Sequence, residues 1–214
     1  MKRKPFVLVI SGPSGVGKST FVHALLERFP GLHFSVSATT RPQRGHEVDG
    51  REYYFLSAAE FRRRQAAGAF LESAEVHGAL YGTLAAEVDG ALNAGRTVLL
   101  DVDVQGGVEV KKRIPDAVLV FLLPPSLPVL AERLRRRGTE SAEKIQHRLA
   151  RAPAEIRALA AYDYVVVNDQ IEATRSDLCA IFRAEELRRS RLQDERGGEG
   201  FVDDYLKAAR PSGA

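Results

Sequence analysis

Residues Ser11–Thr20 read SGPSGVGKST and come directly after the apolar run Phe6–Ile10. The segment from Gly12 to Ser19 matches G-x-x-x-x-G-K-[ST], which forms a phosphate-binding loop where it joins a strand to a helix. In such a loop, backbone N–H groups turn inward around the β-phosphate, and the helix N-terminus favours the negative charge. We therefore predict a nucleotide-binding α/β protein in which the nucleotide contacts Gly12, Pro13, Ser14, Gly15, Val16, Gly17, Lys18, Ser19 and Thr20.

Two side chains of the loop have defined parts in this prediction. Lys18 reaches the β- and γ-phosphate oxygens, and the Ser19 hydroxyl is a ligand for the Mg²⁺ that accompanies the nucleotide. The loop does not show which molecule receives the phosphate, because motors, switches, transporters and kinases all contain one.

The composition is that of an ordinary globular protein. The 214 residues are 44% hydrophobic and 28% charged, with a formal net charge of +3. The single cysteine, Cys179, excludes an internal disulfide and predicts a buried structural thiol. The apolar run after the basic start Met1–Lys4 is too short for a signal peptide, and no later run is long enough to cross a membrane. These features predict a cytoplasmic protein that binds neither membrane nor nucleic acid.

Short apolar runs alternate with helical patterns along most of the chain, as in a parallel sheet with helices on both faces. The predicted strands are Phe6–Ile10, Thr97–Leu100, Ala117–Leu123 and Tyr164–Val167. The predicted crossover helices are Ser19–Arg28, Val104–Arg113, Leu127–Arg137 and Ala173–Arg191.

Two insertions interrupt this alternation. The first contains β-prone pieces at Phe34–Ser37, Tyr53–Phe55 and Ala69–Val76, around one helix that starts with the capping pattern Ser57-Ala-Ala-Glu60. The second is charged, and its Pro153 predicts a kink or break in a helical pattern. The predicted division is a core of residues 1–33, 84–136 and 154–191, a lobe of residues 34–83, a lid of residues 137–153 and a loosely held tail of residues 192–214, in which Phe201–Ala209 could form a short docking helix.

Acidic residues follow the second predicted strand. Asp101 closes Thr97–Leu100, and Asp103 lies two residues further on. Many enzymes with a phosphate loop have an acid at this position that helps to hold the ligands of the metal ion. For Asp101, we expect this contact to run through a water molecule. Asp is also a common turn residue at strand ends, so both interpretations stay open at this point.

The first insertion indicates a second phosphate site. Arg41 and Arg44 flank a tight turn, so their guanidinium groups can clamp an anion together, and Tyr53 and Tyr81 can add phenolic donors. The alternative is a solvated arginine face. A motor or switch protein has no use for a second phosphate site, whereas a nucleoside monophosphate kinase requires one.

Glu72 lies in an otherwise apolar run, where an unpaired buried carboxylate is costly. One interpretation is an alternating strand on which Glu72 faces solvent. The other follows from Ser37 and Thr83 in the same lobe: a carboxylate with hydroxyl neighbours matches the N1–H, N2–H₂ and O6 edge of guanine.

The chain from Val7 to Leu187 resembles the guanylate kinase family. The resemblance rests on GPSGVGKST, SVSATTRPQR, GREYYF, FLESAEVHGALYGT, LLDVDVQG, the RGTES segment and VVVND, in that order. It implies an α/β fold in which a parallel phosphate-loop sheet carries a small mixed β/α GMP-binding lobe and a helical lid. It also implies transfer of the γ-phosphoryl group of MgATP to GMP, in purine nucleotide metabolism and GMP recycling.

The resemblance adds roles for individual residues. Ser37, Glu72 and Thr83 fall on guanine, and the GMP site further includes Arg41, Arg44, Tyr53, Tyr81, Asp101 and Asp103. The catalytic group is Lys18, Arg44, Arg137 and Arg148, the last two being lid arginines that approach only when both nucleotides are bound. Asn168 and Asp169 fall near adenine.

Some alternatives remain open at this stage. His46 stands where the family usually has glycine, which leaves the loop geometry around Arg44 open. Two other classes of protein fit parts of the pattern: a non-catalytic scaffold module of this fold, and a kinase for another monophosphate or a general NTPase. The intact Lys18 and Ser19 oppose the first, and the pairing of Glu72 with Ser37 opposes the second. The oligomeric state, monomer or homo-oligomer, is left undecided.

Overall fold

The structure is a computed structural model that describes residues 2–76, 78–136 and 142–193 together with Leu206. Its strands are β1 (Lys2–Arg3), β2 (Val7–Ser11), β3 (His33–Phe34), β4 (Ala38–Thr39), β5 (Tyr54–Phe55), β6 (Phe70–Val76), β7 (Ala79–Leu84), β8 (Val98–Asp101), β9 (Val118–Leu123), β10 (Tyr164–Val167) and β11 (Leu192–Gln193). Its helices are α1 (Lys18–Arg28), α2 (Ala58–Ala66), α3 (Ala85–Asn93), α4 (Val104–Arg113), α5 (Leu127–Arg136), α6 (Ala142–Arg157) and α7 (Ile171–Leu187), and a 3₁₀ turn follows α6 at Ala158–Ala161.

The central sheet has five parallel strands in the order β10-β9-β2-β8-β3. Successive side chains of its middle strand β2 point to opposite faces of the sheet, and all five are buried, so both faces of the strand are covered. Leu8 and Ile10 pack in the core formed with α1 and α7, whereas Val7 and Val9 pack in the core formed with α3 and α4. The predicted α/β architecture is therefore confirmed, and the predicted strands agree with β2, β8, β9 and β10 to within a residue at each end.

The inserted lobe has its own four-stranded mixed sheet, in the order β5-β4-β7-β6, with α2 against it. A small core of Ala38, Phe61 and Phe70 joins α2 to this sheet, and the two phenyl rings stack 4.3 Å apart. The predicted cap of α2 is confirmed, since the Ser57 hydroxyl accepts from the backbone N–H of Glu60 at 3.1 Å.

Two predictions of local structure in the insertions are corrected. The segment Phe34–Ser37 is not a strand of the lobe: β3 belongs to the central sheet, and the lobe strand starts only at Ala38. Of the kink or break predicted at Pro153, the break does not occur, because α6 continues through Pro153 to Arg157; the kink stays a prediction. Proline removes one backbone donor from the helix. Ala152, beside it, packs with Leu130, Leu134 and Ile145 in the apolar contact that holds α6 against α5.

The segment that follows α7 is tied to the core by the buried guanidinium group of Arg191. Arg191 is 1% exposed, lies over the Phe6 ring at 4.1 Å, and contacts Asp116 at 3.0 Å and Glu185 at 3.2 Å. Next to it, β11 pairs with β1, so ordered pairing extends two residues beyond the predicted boundary at residue 191. The predicted helix Phe201–Ala209 lies outside the described residues, apart from Leu206, which is helical.

Candidate active site

The loop between β2 and α1 has the strained backbone of a phosphate cradle. Gly12 has φ +146, and a Cβ placed on it would lie 2.3 Å from the backbone oxygen of Leu122. Gly17, at the start of α1, has φ +102, a left-handed conformation that favours glycine. The Lys18 ammonium donates to the Gly12 carbonyl at 3.3 Å, and therefore lies folded over the loop.

The residue that follows β10, Asn168, supports the phosphate loop. The side-chain amide of Asn168 donates to the Val16 carbonyl at 2.6 Å, while the backbone carbonyl of Asn168 accepts from the Arg133 guanidinium at 2.9 Å. Asn168 is only 5% exposed. Its amide is thus directed at the loop, and Asp169 is exposed at the end of the strand. The position of both residues near adenine stays a prediction.

Asp101, the last residue of β8, and Asp103, two residues later, differ in environment. Burial raises the pKa of Asp101 above the ordinary aspartate range, and the nearby charge of Lys18 partly opposes this. Asp103 caps α4, where its Oδ1 accepts from the Gly106 N–H at 2.7 Å. Asp103 therefore has a structural role as the cap of α4, whereas Asp101 is the acid close to Lys18.

Glu72 faces inward from β6, as the interpretation that involves guanine requires. Its Oε1 accepts the Thr83 hydroxyl hydrogen at 2.7 Å, while its Oε2 lies 2.8 Å from where a Cβ on Gly106 would stand. Burial raises the pKa of Glu72 above the ordinary glutamate range, and the hydrogen bond from Thr83 opposes this only in part. The solvent-facing interpretation of Glu72 is therefore wrong.

The predicted arginine pair is arranged unequally. Arg41 makes a two-pronged ion pair with Glu47, with both N–O distances at 2.8 Å, and lies 5.2 Å from the Tyr53 ring. The pairing with Arg41 lowers the pKa of Glu47 to about 2. Arg44 has an exposed side chain, and its backbone N–H donates to the same Glu47 carboxylate at 2.8 Å.

The helix α6 reaches the phosphate loop. Arg148 donates through Nη1 to the Ser14 hydroxyl. Arg148 therefore lies against the loop, and the expectation that it approaches only when both nucleotides are bound stays a prediction. Arg137, the other predicted lid arginine, lies outside the described residues.

One cavity of about 490 Å³ brings the two halves of the prediction together. It lies between the phosphate loop, the end of β8 and the inserted lobe. The predicted site residues that line it are Ser14, Gly15, Gly17, Lys18, Ser19, Thr20, Ser37, Tyr53, Glu72, Tyr81, Asp101 and Asp103. The other described site residues, which do not line it, are Gly12, Pro13, Val16, Arg41, Arg44, Thr83, Arg148, Asn168 and Asp169.

The oxygen atoms near the loop suit a nucleotide-borne divalent cation. The Ser19 hydroxyl is exposed at the start of α1, and Asp101 lies across the same cavity. Mg²⁺ prefers oxygen ligands and takes only one or two from protein when phosphates supply others. Within residues 2–76, 78–136 and 142–193, no group of three or more His, Cys, Asp or Glu side chains could form an all-protein metal cage. The donor set therefore fits Mg²⁺ that arrives with its nucleotide.

Sequence reasoning missed two supporting residues. Glu47 orients Arg41, and Arg133 holds the carbonyl of Asn168. The spacing of Glu47, six residues after Arg41 in the same turn, was a usable signal for an ion pair. Arg133 gave none, because it is one of several arginines on α5 and its partner lies 35 residues away.

The chain is similar to known proteins over most of its length. The profile of the family described as guanylate kinase matches residues 2–185. The chain is 50% identical over 206 residues to a guanylate kinase of Symbiobacterium thermophilum, covering 96% of this chain and 95% of that one. It is 51% identical over 209 residues to a guanylate kinase of Anaeromyxobacter dehalogenans, covering 97% and 92%. A crystal structure of guanylate kinase from Anaplasma phagocytophilum superposes with a TM-score of 0.71 at 32% identity, covering 100% and 99%.

Proposed function

Since the chain belongs to the guanylate kinase family and transfers the γ-phosphoryl group of ATP to GMP, we propose that this transfer takes place in the cavity of about 490 Å³. The products are ADP and GDP. The observation that carries the proposal is the shared cavity itself, because Lys18 and Glu72, one from each predicted half-site, line the same space. A donor phosphate at one end and a guanine at the other can then lie within reach of each other.

The phosphate loop is proposed to hold ATP. The left-handed glycines turn N–H groups toward the β-phosphate, and Lys18 neutralises charge on the β- and γ-oxygens. Ser19, with Asp101 through a water molecule, would hold Mg²⁺, which supplies further charge neutralisation when bound with the nucleotide. Asn168 acts on ATP indirectly, by fixing the Val16 carbonyl and so the shape of the loop.

Glu72, Ser37 and Thr83 are proposed to select guanine. The carboxylate of Glu72 accepts the guanine N1–H and N2–H₂ hydrogens, and adenine has no such pair of donors on that edge. Thr83 fixes the carboxylate through its 2.7 Å hydrogen bond. Gly106 leaves the space that Oε2 occupies, since a side chain there would start 2.8 Å from it.

Arg41 and Arg44, with Tyr53 and Tyr81, are proposed to hold the GMP phosphate. The ion pair with Glu47 holds Arg41 against the Tyr53 ring, which presents the guanidinium in one orientation. Tyr53 and Tyr81 are themselves edge to face at 5.9 Å. Two guanidinium groups and two hydroxyls together suit a phosphate monoester.

Transfer between these sites needs no strong general base, because the accepting phosphate oxygen is already anionic. Catalysis comes from alignment and charge neutralisation. We propose that Arg148 contributes positive charge from the lid, where it lies against Ser14, and that Arg137 joins it. Closing the lid also excludes water, which would otherwise hydrolyse ATP.

The division into core, GMP-binding lobe and lid is proposed with the boundaries predicted from the sequence, and Asn168 and Asp169 remain proposed neighbours of adenine. None of the helices that the structure describes is both long and apolar enough to cross a membrane. We place the enzyme in the cytoplasm, where ATP and GMP are available.

A matched pair of serine variants tests the acceptor half of the proposal. Ser37 lines the cavity, whereas Ser35, two residues earlier, is 2% exposed, does not line it and has no hydrogen-bond partner for its hydroxyl among the described residues. Ser37→Ala should raise the KM for GMP by about 2- to 12-fold, the equivalent of one neutral hydrogen bond of about 0.5–1.5 kcal/mol, and leave the KM for ATP unchanged. Ser35→Ala should leave both unchanged.

The readout is coupled ADP release with GMP, AMP, UMP or no acceptor. GMP should be strongly preferred. Equal KM changes for ATP and GMP in Ser37→Ala would contradict the assignment of this residue, and rapid ADP release without acceptor would contradict the kinase mechanism.

A further inference from the structure

A second cavity, of about 390 Å³, lies at the opposite end of the central sheet from the phosphate loop. It opens where Phe6, Leu32 and Thr97 lead into β2, β3 and β8. The five residues of β2 span roughly 17 Å, which separates this cavity from the loop that follows the strand. It therefore shares no residue with the active site.

The walls of this cavity carry unbalanced positive charge. Arg3, Lys4 and Arg28 line it, and none of the three forms an ion pair in the part of the chain that the structure describes. The one acid in the lining, Glu186, is already paired with Arg183 at 2.8 Å. The lining residues thus have two more positive than negative charges.

One of these cations has an unsatisfied donor. The Arg3 Nη1 atom is buried and has no hydrogen-bond partner among the described residues. A buried donor without an acceptor costs free energy, and the cost is larger when the donor belongs to a charged group. Most buried donors in proteins therefore have a hydrogen-bond acceptor. Arg28 lies over the ring of Phe29 at 5.8 Å, which steadies it without supplying a counter-charge.

We propose that this cavity binds a phosphate-bearing small molecule. A phosphate would give Arg3 the acceptor that the described residues do not supply and would balance the charges of Lys4 and Arg28, since guanidinium groups match phosphate oxygens with paired donors. The Thr97 hydroxyl accepts a backbone N–H from Phe6 at 3.5 Å, so its own hydrogen remains to donate. The volume is within the range of small-molecule sites, and the Phe29 ring offers an apolar wall.

The test is equilibrium dialysis of the full chain against labelled inorganic pyrophosphate. The active site is first filled with one equivalent of a tight-binding bisubstrate analogue that joins GMP to ATP. The phosphate loop and the arginine pair then do not contribute, and no free nucleotide remains to compete for the second cavity. One equivalent of pyrophosphate should bind, with an affinity that falls as salt is raised. Arg3→Ala and Arg28→Ala should each weaken binding at least tenfold, while GDP formation stays at the wild-type rate.

Arg113→Ala is the matched control, because Arg113 is an exposed arginine at the end of α4 that does not line the cavity. It should bind pyrophosphate like wild type. If Arg3→Ala fails to fold because β1 is disturbed, Arg28→Ala on the exposed end of α1 still carries the test. A parallel titration with CDP separates the sources: tighter binding of CDP indicates a nucleotide ligand, and equal or weaker binding indicates free inorganic phosphates. No bound pyrophosphate with the active site saturated, or equal affinity in Arg28→Ala and Arg113→Ala, would overturn the proposal.

Discussion

Replacing Glu72 by glutamine tests how guanine is recognised. Thr83 donates to Oε1, and guanine would donate to the carboxylate from N1 and N2. A glutamine amide can keep one oxygen as acceptor, but its NH₂ must then face a donor or turn away and leave a hydrogen unpaired. Glu72→Gln therefore removes one or two hydrogen bonds to a charged acceptor, each of about 1.5–3 kcal/mol.

The expected loss follows from that range. One to two such bonds correspond to about 1.5–6 kcal/mol, so kcat/KM for GMP should fall by a factor of roughly 10 to 10⁴. The KM for ATP should stay unchanged, because the phosphate loop is not touched. The assay is coupled ADP release at varied GMP and ATP. Glu75→Gln is the control, since Glu75 is an exposed carboxylate on the same strand, and it should behave like wild type.

In the absence of nucleotides and at neutral pH, Glu72→Gln should have a higher free energy of unfolding than wild type. Burial raises the pKa of Glu72, so the folded protein holds this proton to higher pH than the unfolded chain does. The stability from this group is fully present below the ordinary glutamate pKa and is lost as pH rises through the raised value. The free energy of unfolding of Glu72→Gln should therefore exceed that of wild type at pH 7 by a margin that shrinks toward pH 4.

Either measurement can refute the reasoning. Unchanged GMP kinetics in Glu72→Gln would mean that another group recognises guanine. A stability difference between wild type and Glu72→Gln that does not change with pH would mean that the carboxylate is not desolvated in the folded protein.

Three further substitutions test the phosphate sites. Lys18→Ala should fold normally, as judged by circular dichroism, yet lose at least about a thousandfold in kcat, because the transferring phosphoryl group loses its fixed cation; a folded variant with wild-type turnover would remove Lys18 from the mechanism. Gly12→Ala should lower the free energy of unfolding by more than about 2 kcal/mol, because the new Cβ would lie 2.3 Å from the Leu122 backbone oxygen. The control is Gly90→Ala, which should raise the free energy of unfolding by up to about 1 kcal/mol, because Gly90 lies on a helix with open space around it. Equal melting temperatures for the two variants would contradict the loop geometry. Arg44→Met should reduce kcat/KM for GMP by an amount equivalent to about 2–5 kcal/mol with ATP binding unchanged, and equal damage to both substrates would mean that Arg44 is assigned to the wrong site.

The sequence by itself determined the features that depend on neighbours along the chain. The strands of the central sheet are continuous apolar runs, because parallel strands are buried on both faces. The phosphate loop needs glycines and a lysine at fixed spacings within eight residues, and the cap of α2 needs a serine three residues before a backbone donor. Such local requirements leave a pattern that can be found without a structure.

Short elements left weaker patterns. The two residues of β3 gave no periodic signal, and their place in the central sheet depends on pairing with β8, more than 60 residues away. The strand β7 and helix α3 were not predicted, because Ala79–Leu84 and Ala85–Asn93 follow each other without a turn signal between them.

Only the tertiary structure decided which polar groups meet. The ring of contacts around the loop joins Asn168 to Val16 and Arg148 to Ser14, over separations of 152 and 134 residues. The same holds for Glu72, since its residue type and position fit a solvent-facing strand and a buried acceptor equally well. Its burial beside Gly106 depends on how the inserted lobe packs against α4, and packing between distant elements is what a sequence pattern of one strand does not contain.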